Sequence, residues 1–182
     1  MRELSHPFVL SLQFTFQTPE HLHMVMELIE NGDLSQHLDH LQFIEEPQAK
    51  FITAELILGI QYVHSKNILF RDLKPENILI DKEGHIRVAD FGLAKKGNPS
   101  KNLAQSFCGS PAYLTPEMLK KTGVTESGDV YQIGVVLYEM LVGIPPYYND
   151  NIQILYENIS KGKLKIPPYL SKKAQNILLV SL

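Results

Sequence analysis

Within the run Arg71-Asp72-Leu73-Lys74-Pro75-Glu76-Asn77, Lys74 stands two residues and Asn77 five residues after Asp72. Eighteen residues after Asp72 comes Asp90-Phe91-Gly92. Phosphoryl transfer needs a group to orient a hydroxyl, a cation beside the transferred group, and hard oxygen ligands for Mg2+. These residues can supply all three. On that reading Asp72 orients the hydroxyl and accepts its proton, Lys74 offsets the developing charge, and Asn77 and Asp90 ligate magnesium. Any one of them alone is more often a surface or capping residue. The joint spacing carries the argument.

The surrounding elements must hold these groups. Residues 7–16 carry β-branched and aromatic residues in partial alternation, Pro19-Glu20 reads as a turn, and residues 21–27 place Leu22, Met24, Val25 and Met26 after it. That predicts strand, turn, strand. Asn31-Gly32-Asp33 breaks the pattern, and Asp33 caps a short helix through His37. Glu46-Pro47 opens a helix that ends near Ser65. Phe51, Ala54, Ile57, Leu58 and Val63 make it apolar nearly all round, which predicts burial on every side. Residues 78–80 and 85–89 flank Asp81-Lys82-Glu83-Gly84, a hairpin signal that leaves the chemical residues on loops. Residues 95–105 are polar with Gly97 and Pro99 and read as a mobile loop. Residues 126–142 form a second strongly apolar helix, stopped by Gly143, Pro145 and Pro146. Residues 151–161 and 171–182 predict two more helices; the last has no stop signal, which points to truncation there.

Composition bounds the function classes. A chain of 182 residues is one domain by default. Its 44% hydrophobic and 20% charged residues are globular usage rather than that of a disordered chain. A net charge of −3 gives no polybasic surface for nucleic acid or anionic lipid. The single cysteine, Cys108, excludes an internal disulfide and fits a reducing compartment, with a packing role ahead of a reactive one. No apolar run approaches the about 20 residues of a membrane span, and the N-terminus has no signal pattern. A soluble intracellular protein is the expectation. The seven histidines include no spaced metal pair, so structural or surface roles are expected.

The segment from Asn67 to Leu79 resembles the catalytic loop of a eukaryotic protein kinase in its Ser/Thr form, and Asp90-Phe91-Gly92 resembles that family's metal-binding triplet. Residues 108–117, ending in Thr115-Pro116-Glu117, resemble the end of a kinase activation segment, with Thr115 where the family usually has alanine. Ser106-Phe107-Cys108-Gly109 resembles the activation-loop phosphosite of the AGC kinases, and Arg71 is the implied partner of a phosphate on Ser106. Phe70 stands where AGC kinases have tyrosine; it is implied to stack beneath Phe91, with Leu12 in the same column.

The resemblance implies an α+β, protein-kinase-like fold, truncated to a mostly α-helical large lobe with a partial small-lobe sheet. Residues 1–26 would be residual small lobe, 27–32 the hinge and 33–182 an incomplete large lobe. The implied reaction transfers the γ-phosphoryl group of ATP, with Mg2+, to Ser or Thr of proteins, at sites near basic residues. Backbone groups of Glu27 and Ile29 would contact adenine, Met26 would guard the back of the pocket, Leu79 would be its floor, and Asp33 would lie near the ribose. Asp33, Glu76 and Glu139 would form an acidic groove for basic residues upstream of the target hydroxyl. Ser110 would hydrogen-bond near Asp72 and Lys74, and Lys74 itself favours Ser/Thr over Tyr specificity. Phe91, Gly92, Glu117 and Asp129 would be structural, with Asp129 tying down the catalytic loop. Tyr131 replaces the family's tryptophan and can pack if its hydroxyl finds a partner.

An upstream activating kinase is the implied regulator, in the cytoplasm or nucleus, with no nucleic-acid partner. Met1 aligns near the end of the small lobe's regulatory helix, so the Gly-rich loop and the ATP-anchoring lysine fall upstream. The arginine that pairs with Glu117 falls beyond the other end. A buried, ionised Glu117 would then cost about 3–5 kcal/mol. The alternatives are a catalytically impaired, pseudokinase-like binding module, motivated by the missing phosphate loop, and a remnant without function.

Overall fold

The computed structural model describes residues 4–97 and 109–182. Its two longest helices form the frame. α2 (Glu46–Ser65) and α4 (Glu126–Val142) pack against each other. α4 is buried from Gly128 to Leu141 except at Val130 and Glu139. α2 buries the stripe Ala49, Ile52, Leu56, Ile60 and Val63, a 3–4 residue spacing that marks one helical face. Its other side exposes Phe51, Ile57 and Leu58. Burial on every side is thus corrected: α4 and the strands beyond it cover one face of α2 only.

α1 (Leu34–Leu41) is capped by Asp33 and buries Leu34 and Leu38, one turn apart. It runs past the expected end at His37 until Gln42 turns into a positive φ of 68°. α3 (Pro116–Lys120) was not expected; Thr115, fully buried, accepts the Met118 N–H at 3.2 Å and starts it. α5 (Ile152–Lys161) and α6 (Lys172–Ser181) are capped by Asn151 and Ser171. α4 ends at Gly143, whose φ of +90° an L side chain rarely adopts. A β-carbon there would stand 2.3 Å from the Gln42 carbonyl oxygen.

The described strands form three antiparallel pairs. β1 (Leu12–Gln17) pairs with β2 (Leu22–Met26), with a register shift between Leu12 and Phe14. β4 (Ile78–Ile80) pairs with β5 (Ile86–Val88). β3 (Ile68–Leu69) pairs with β6 (Lys95–Lys96), so the expected loop at residues 95–105 opens as a strand. Residues 7–10 are corrected too. They leave the β1–β2 hairpin and dock on β5, where Leu10 donates to the Val88 carbonyl and Val88 donates to the Phe8 carbonyl. Val9 and Leu10 are buried there, because the apolar core lies on that side. No helix of the described residues is long and apolar enough to cross a membrane.

Candidate active site

The loop after β3 has a bent backbone. Arg71 has a φ of 71°, a left-handed conformation that costs a non-glycine residue about 1–3 kcal/mol. Asp129, fully buried in the first turn of α4, holds that bend. Its Oδ2 accepts the Phe70 N–H at 2.9 Å and the His64 Nε2 at 2.7 Å, and its Oδ1 accepts the Arg71 N–H at 2.7 Å. Gln132, one turn further along α4, accepts the Leu73 N–H at 3.0 Å. Its Nε2 donates to the carbonyls of Arg71 at 3.2 Å and Tyr113 at 3.0 Å. Sequence reasoning missed Gln132. Its signal was there: an amide in a mostly apolar helix, three residues after Asp129.

On that support, Asp72, Lys74 and Asn77 converge. Asn77, in the short helical turn Pro75–Asn77, donates through Nδ2 to the Asp72 carbonyl at 2.8 Å and to Asp72 Oδ2 at 3.1 Å. Lys74 Nζ stands 3.3 Å from the same Oδ2 and donates to Ser110 Oγ at 3.0 Å. Asp72 Oδ1 is buried and without a partner among the described residues. Gly109 lies alongside it; a β-carbon there would come within 3.3 Å of Oδ1.

Asp90 is linked to this cluster through the backbone, because the Ala89 N–H donates to the Asn77 carbonyl at 2.8 Å. Asp90 adopts a φ of 58°, and its Oδ1 accepts the Gly92 N–H at 3.0 Å. Phe91 meets Phe70 edge-on, with ring centroids 5.1 Å apart. Asp90, Phe91 and Gly92 line a cleft of about 790 Å³ whose other walls include Leu10, Met26 and Leu79. Glu27, Ile29 and Asp33 do not line it. The Glu27 carboxylate faces Arg87 at 3.7 Å, and Asp33 accepts from the Gln36 N–H and Nε2. Residues 31–33 are tied to β4 by Asn31 donating to the Ile80 carbonyl and Ile80 donating to the Gly32 carbonyl.

A carboxylate group lies on the Ser110 side. The Tyr113 hydroxyl donates to Glu139 Oε2. Burial pushes the Glu139 carboxyl up to about 7; the nearby Glu76 and Asp39 carboxylates push the same way, and the Tyr113 hydrogen bond partly offsets them. Glu76 is exposed. The two carboxylates acting on Glu139 are thus Glu76 and Asp39, whereas Asp33 caps α1.

Three expectations change. Glu117 is half-buried, not fully buried; its Oε1 would lie 3.4 Å from a β-carbon at Gly128, beside the first turn of α4. Tyr131 packs in the core, but its hydroxyl is buried without a partner among the described residues. Leu12 is half-buried in β1 and is not among the partly buried residues packed against the core that holds Phe70. Ser106 and Cys108 lie outside the described residues. Arg71 is buried; its Nε donates to the Leu93 carbonyl at 2.7 Å, and its Nη1 has no partner among the described residues.

The donor set fits magnesium. Among the described residues no three His, Cys, Asp or Glu side chains cluster as a metal cage. Mg2+ needs none, since it takes one or two carboxylates and completes its shell with waters and phosphate oxygens. Asn77 uses its nitrogen on Asp72, which leaves Oδ1 as its hard ligand, and Asp90 offers a carboxylate at the cleft.

Known proteins match this arrangement along nearly the whole chain. The protein kinase domain family matches residues 1–180. "Protein kinase 2" of Dictyostelium discoideum is 43% identical over 175 residues, which cover 96% of this chain and 36% of that protein. "Serine/threonine-protein kinase Sgk2" of Homo sapiens is 44% identical over 167 residues, 92% of this chain and 46% of that protein. "Serine/threonine-protein kinase Sgk1" of Xenopus tropicalis is 42% identical over 178 residues, 98% of this chain and 43% of that protein. The chain thus spans less than half the length of these relatives. With a buried carboxylate, Asp129, clamping the loop that carries Asp72, Lys74 and Asn77, and with this match, the chain belongs to the protein kinase domain family, in its serine/threonine, AGC-like branch.

Proposed function

We propose that the protein transfers the γ-phosphoryl group of ATP to serine or threonine of other proteins. One observation carries the reading: Asp72, Lys74, Asn77 and Ser110 form a single hydrogen-bonded cluster beside the Asp90 cleft. Bound Mg2+ supplies charge neutralisation at the phosphates. Asn77 and Asp90 would hold it. Asp72 Oδ2 is occupied by Lys74 and Asn77, so Oδ1 is the oxygen that orients the acceptor hydroxyl and takes its proton. Lys74 balances the charge that gathers on the transferred group, and Ser110 fixes where its ammonium points. Met26 and Leu79, with Leu10 and Ala89, give the nucleotide base an apolar slot.

Substrates with basic residues near the target hydroxyl follow from the carboxylates Glu139, Glu76 and Asp39. An upstream kinase would phosphorylate Ser106, and the unpartnered Arg71 Nη1 offers that phosphate a donor. Residues 1–26 read as small lobe, 27–32 as hinge and 33–182 as large lobe, and the protein reads as cytoplasmic.

The test uses the full-length protein with ATP-Mg2+ and a peptide bearing arginine upstream of serine. Asp90→Asn should lower turnover by about 10²–10⁴-fold, the range expected when a positioned charge at a reacting centre is lost, with the melting temperature unchanged. Undiminished turnover in Asp90→Asn refutes the assignment. ATP binding without turnover in the wild type favours a pseudokinase-like binding module instead.

A further inference from the structure

Gln132 is a buried amide in the most buried α-helix among the described residues, 1% exposed and flanked along α4 by Ile133, Val135 and Val136. A primary amide is costly in such a place unless both its ends are paired. Here they are, and the pairing fixes its orientation. The Leu73 N–H can only donate and the Arg71 and Tyr113 carbonyls can only accept, so a flipped amide would lose all three bonds.

The partners lie on two separate stretches of chain. Arg71 and Leu73 flank Asp72 on either side. Tyr113 ends the helical turn Pro111–Tyr113 that Ser110 precedes, and its hydroxyl reaches Glu139. The Lys74–Ser110 hydrogen bond joins the same two stretches on the side nearer solvent, at 3.0 Å. Gln132 joins them from beneath, inside the core.

We propose that Gln132 is a positioning residue for phosphoryl transfer: its amide holds residues 110–113 in register with the loop that carries Asp72. The inference rests on the kinase reading above. It extends that reading from the residues that touch the substrate to the one that aligns the two surfaces between which the acceptor segment sits. None of the residues that Gln132 bonds lines the nucleotide cleft. Its loss therefore bears on the acceptor substrate rather than on ATP.

Two variants of the full-length protein test this. Gln132→Met keeps the side-chain length and removes all three hydrogen bonds. Gln132→Glu keeps an acceptor for Leu73 but turns a carboxylate toward two carbonyls. For both, the peptide KM should rise about 10-fold and kcat should fall several-fold, while the ATP KM stays within about twofold; a 10-fold change corresponds to about 1.4 kcal/mol. Ile133→Val, which trims the neighbouring core residue, should leave that split absent.

Peptide and ATP KM values unchanged in a folded Gln132→Met overturn the proposal. So does an equal peptide-KM rise in Ile133→Val, because Gln132 would then matter for core packing alone. Hydrogen exchange supplies a reading independent of turnover. Gln132→Met should selectively lose protection at Leu73 and over residues 110–114 while α4 stays protected, and unchanged protection there sinks the latch. An inactive wild type with intact protection would refute the kinase reading and leave the latch standing.

Discussion

Burial moves Glu139 across the neutral range. Its carboxyl titrates near 4.5 in an unfolded chain and is raised to about 7 in the fold, chiefly by desolvation. The folded state therefore binds more protons than the unfolded state between those values. For a group raised in this way, the stabilising contribution is complete below about 4.5 and is lost as pH rises through about 7. The unfolding free energy should fall across pH 4.5–7, by up to about 3 kcal/mol at the limit, and level off above, with the melting temperature falling alongside. Glu139→Gln should flatten that part of the profile; an unchanged profile would refute the assignment. The sign for substrate is the reverse. If substrates are basic, as proposed, they need the carboxylate, so the peptide KM should fall as pH rises through 7. Tyr131 offers a second test at this scale. Its hydroxyl is buried without a partner among the described residues, and a buried unsatisfied polar group costs about 1–3 kcal/mol. Tyr131→Phe should therefore leave stability unchanged or raise it by about 1 kcal/mol in chemical denaturation. A loss above that size would mean the hydroxyl has a partner.

Elements end where side chains and backbone disagree, and Gly143 is the clearest case. Its positive φ stops α4, and the Gln42 carbonyl after α1 lies against its Cα. Gly143→Ala meets both the backbone strain and that oxygen, so thermal unfolding should show a loss of about 1–3 kcal/mol or more. The same glycine was readable in the sequence, as were the bounds of α4, because a run of apolar residues followed by Gly and Pro is a local signal. Asp72, Lys74 and Asn77 were readable for a related reason: they stand within six residues, so one short turn brings them together. Elements that depend on distant partners were not. Lys95 and Lys96 look like loop residues and become a strand only because Ile68 and Leu69 lie opposite. Residues 7–10 carry a strand pattern, yet they leave the hairpin because β5 offers backbone partners and a core. α2 is apolar round its circumference, and composition alone could not tell that only one side meets α4. Gln132 escaped notice because its value lies in the Arg71, Leu73 and Tyr113 backbone atoms, about 20 to 60 positions away in the chain.

The molecule as a whole divides unequally about its cleft. One wall comes from the β1–β2 hairpin through Met24 and Met26, the other from the helical body through Leu79, Ala89 and Asp90. The body holds the main core, with Phe70, Leu73, Ile78, Val136 and Met140 each fully buried. The hairpin buries no residue fully; Phe14, Phe16, Leu22 and Met24 are exposed, and Phe16 stacks on His23 at 4.4 Å. A two-stranded hairpin without a packed face is marginal on its own, since its hydrogen bonds stand in water and little apolar area opposes their opening. Opening free energies should therefore differ across the cleft. In hydrogen exchange on the 182-residue chain, amides of β1 and β2 should exchange at least about 100-fold faster than those of α4, a gap of about 3 kcal/mol in local opening. Equal protection on both sides would mean that the hairpin and the body open as one unit. The faster hairpin would place the mobile wall of the cleft on the nucleotide side and the fixed wall under Asp72, so that closure over a nucleotide would move β1–β2 and leave the Asp129 and Gln132 supports in place.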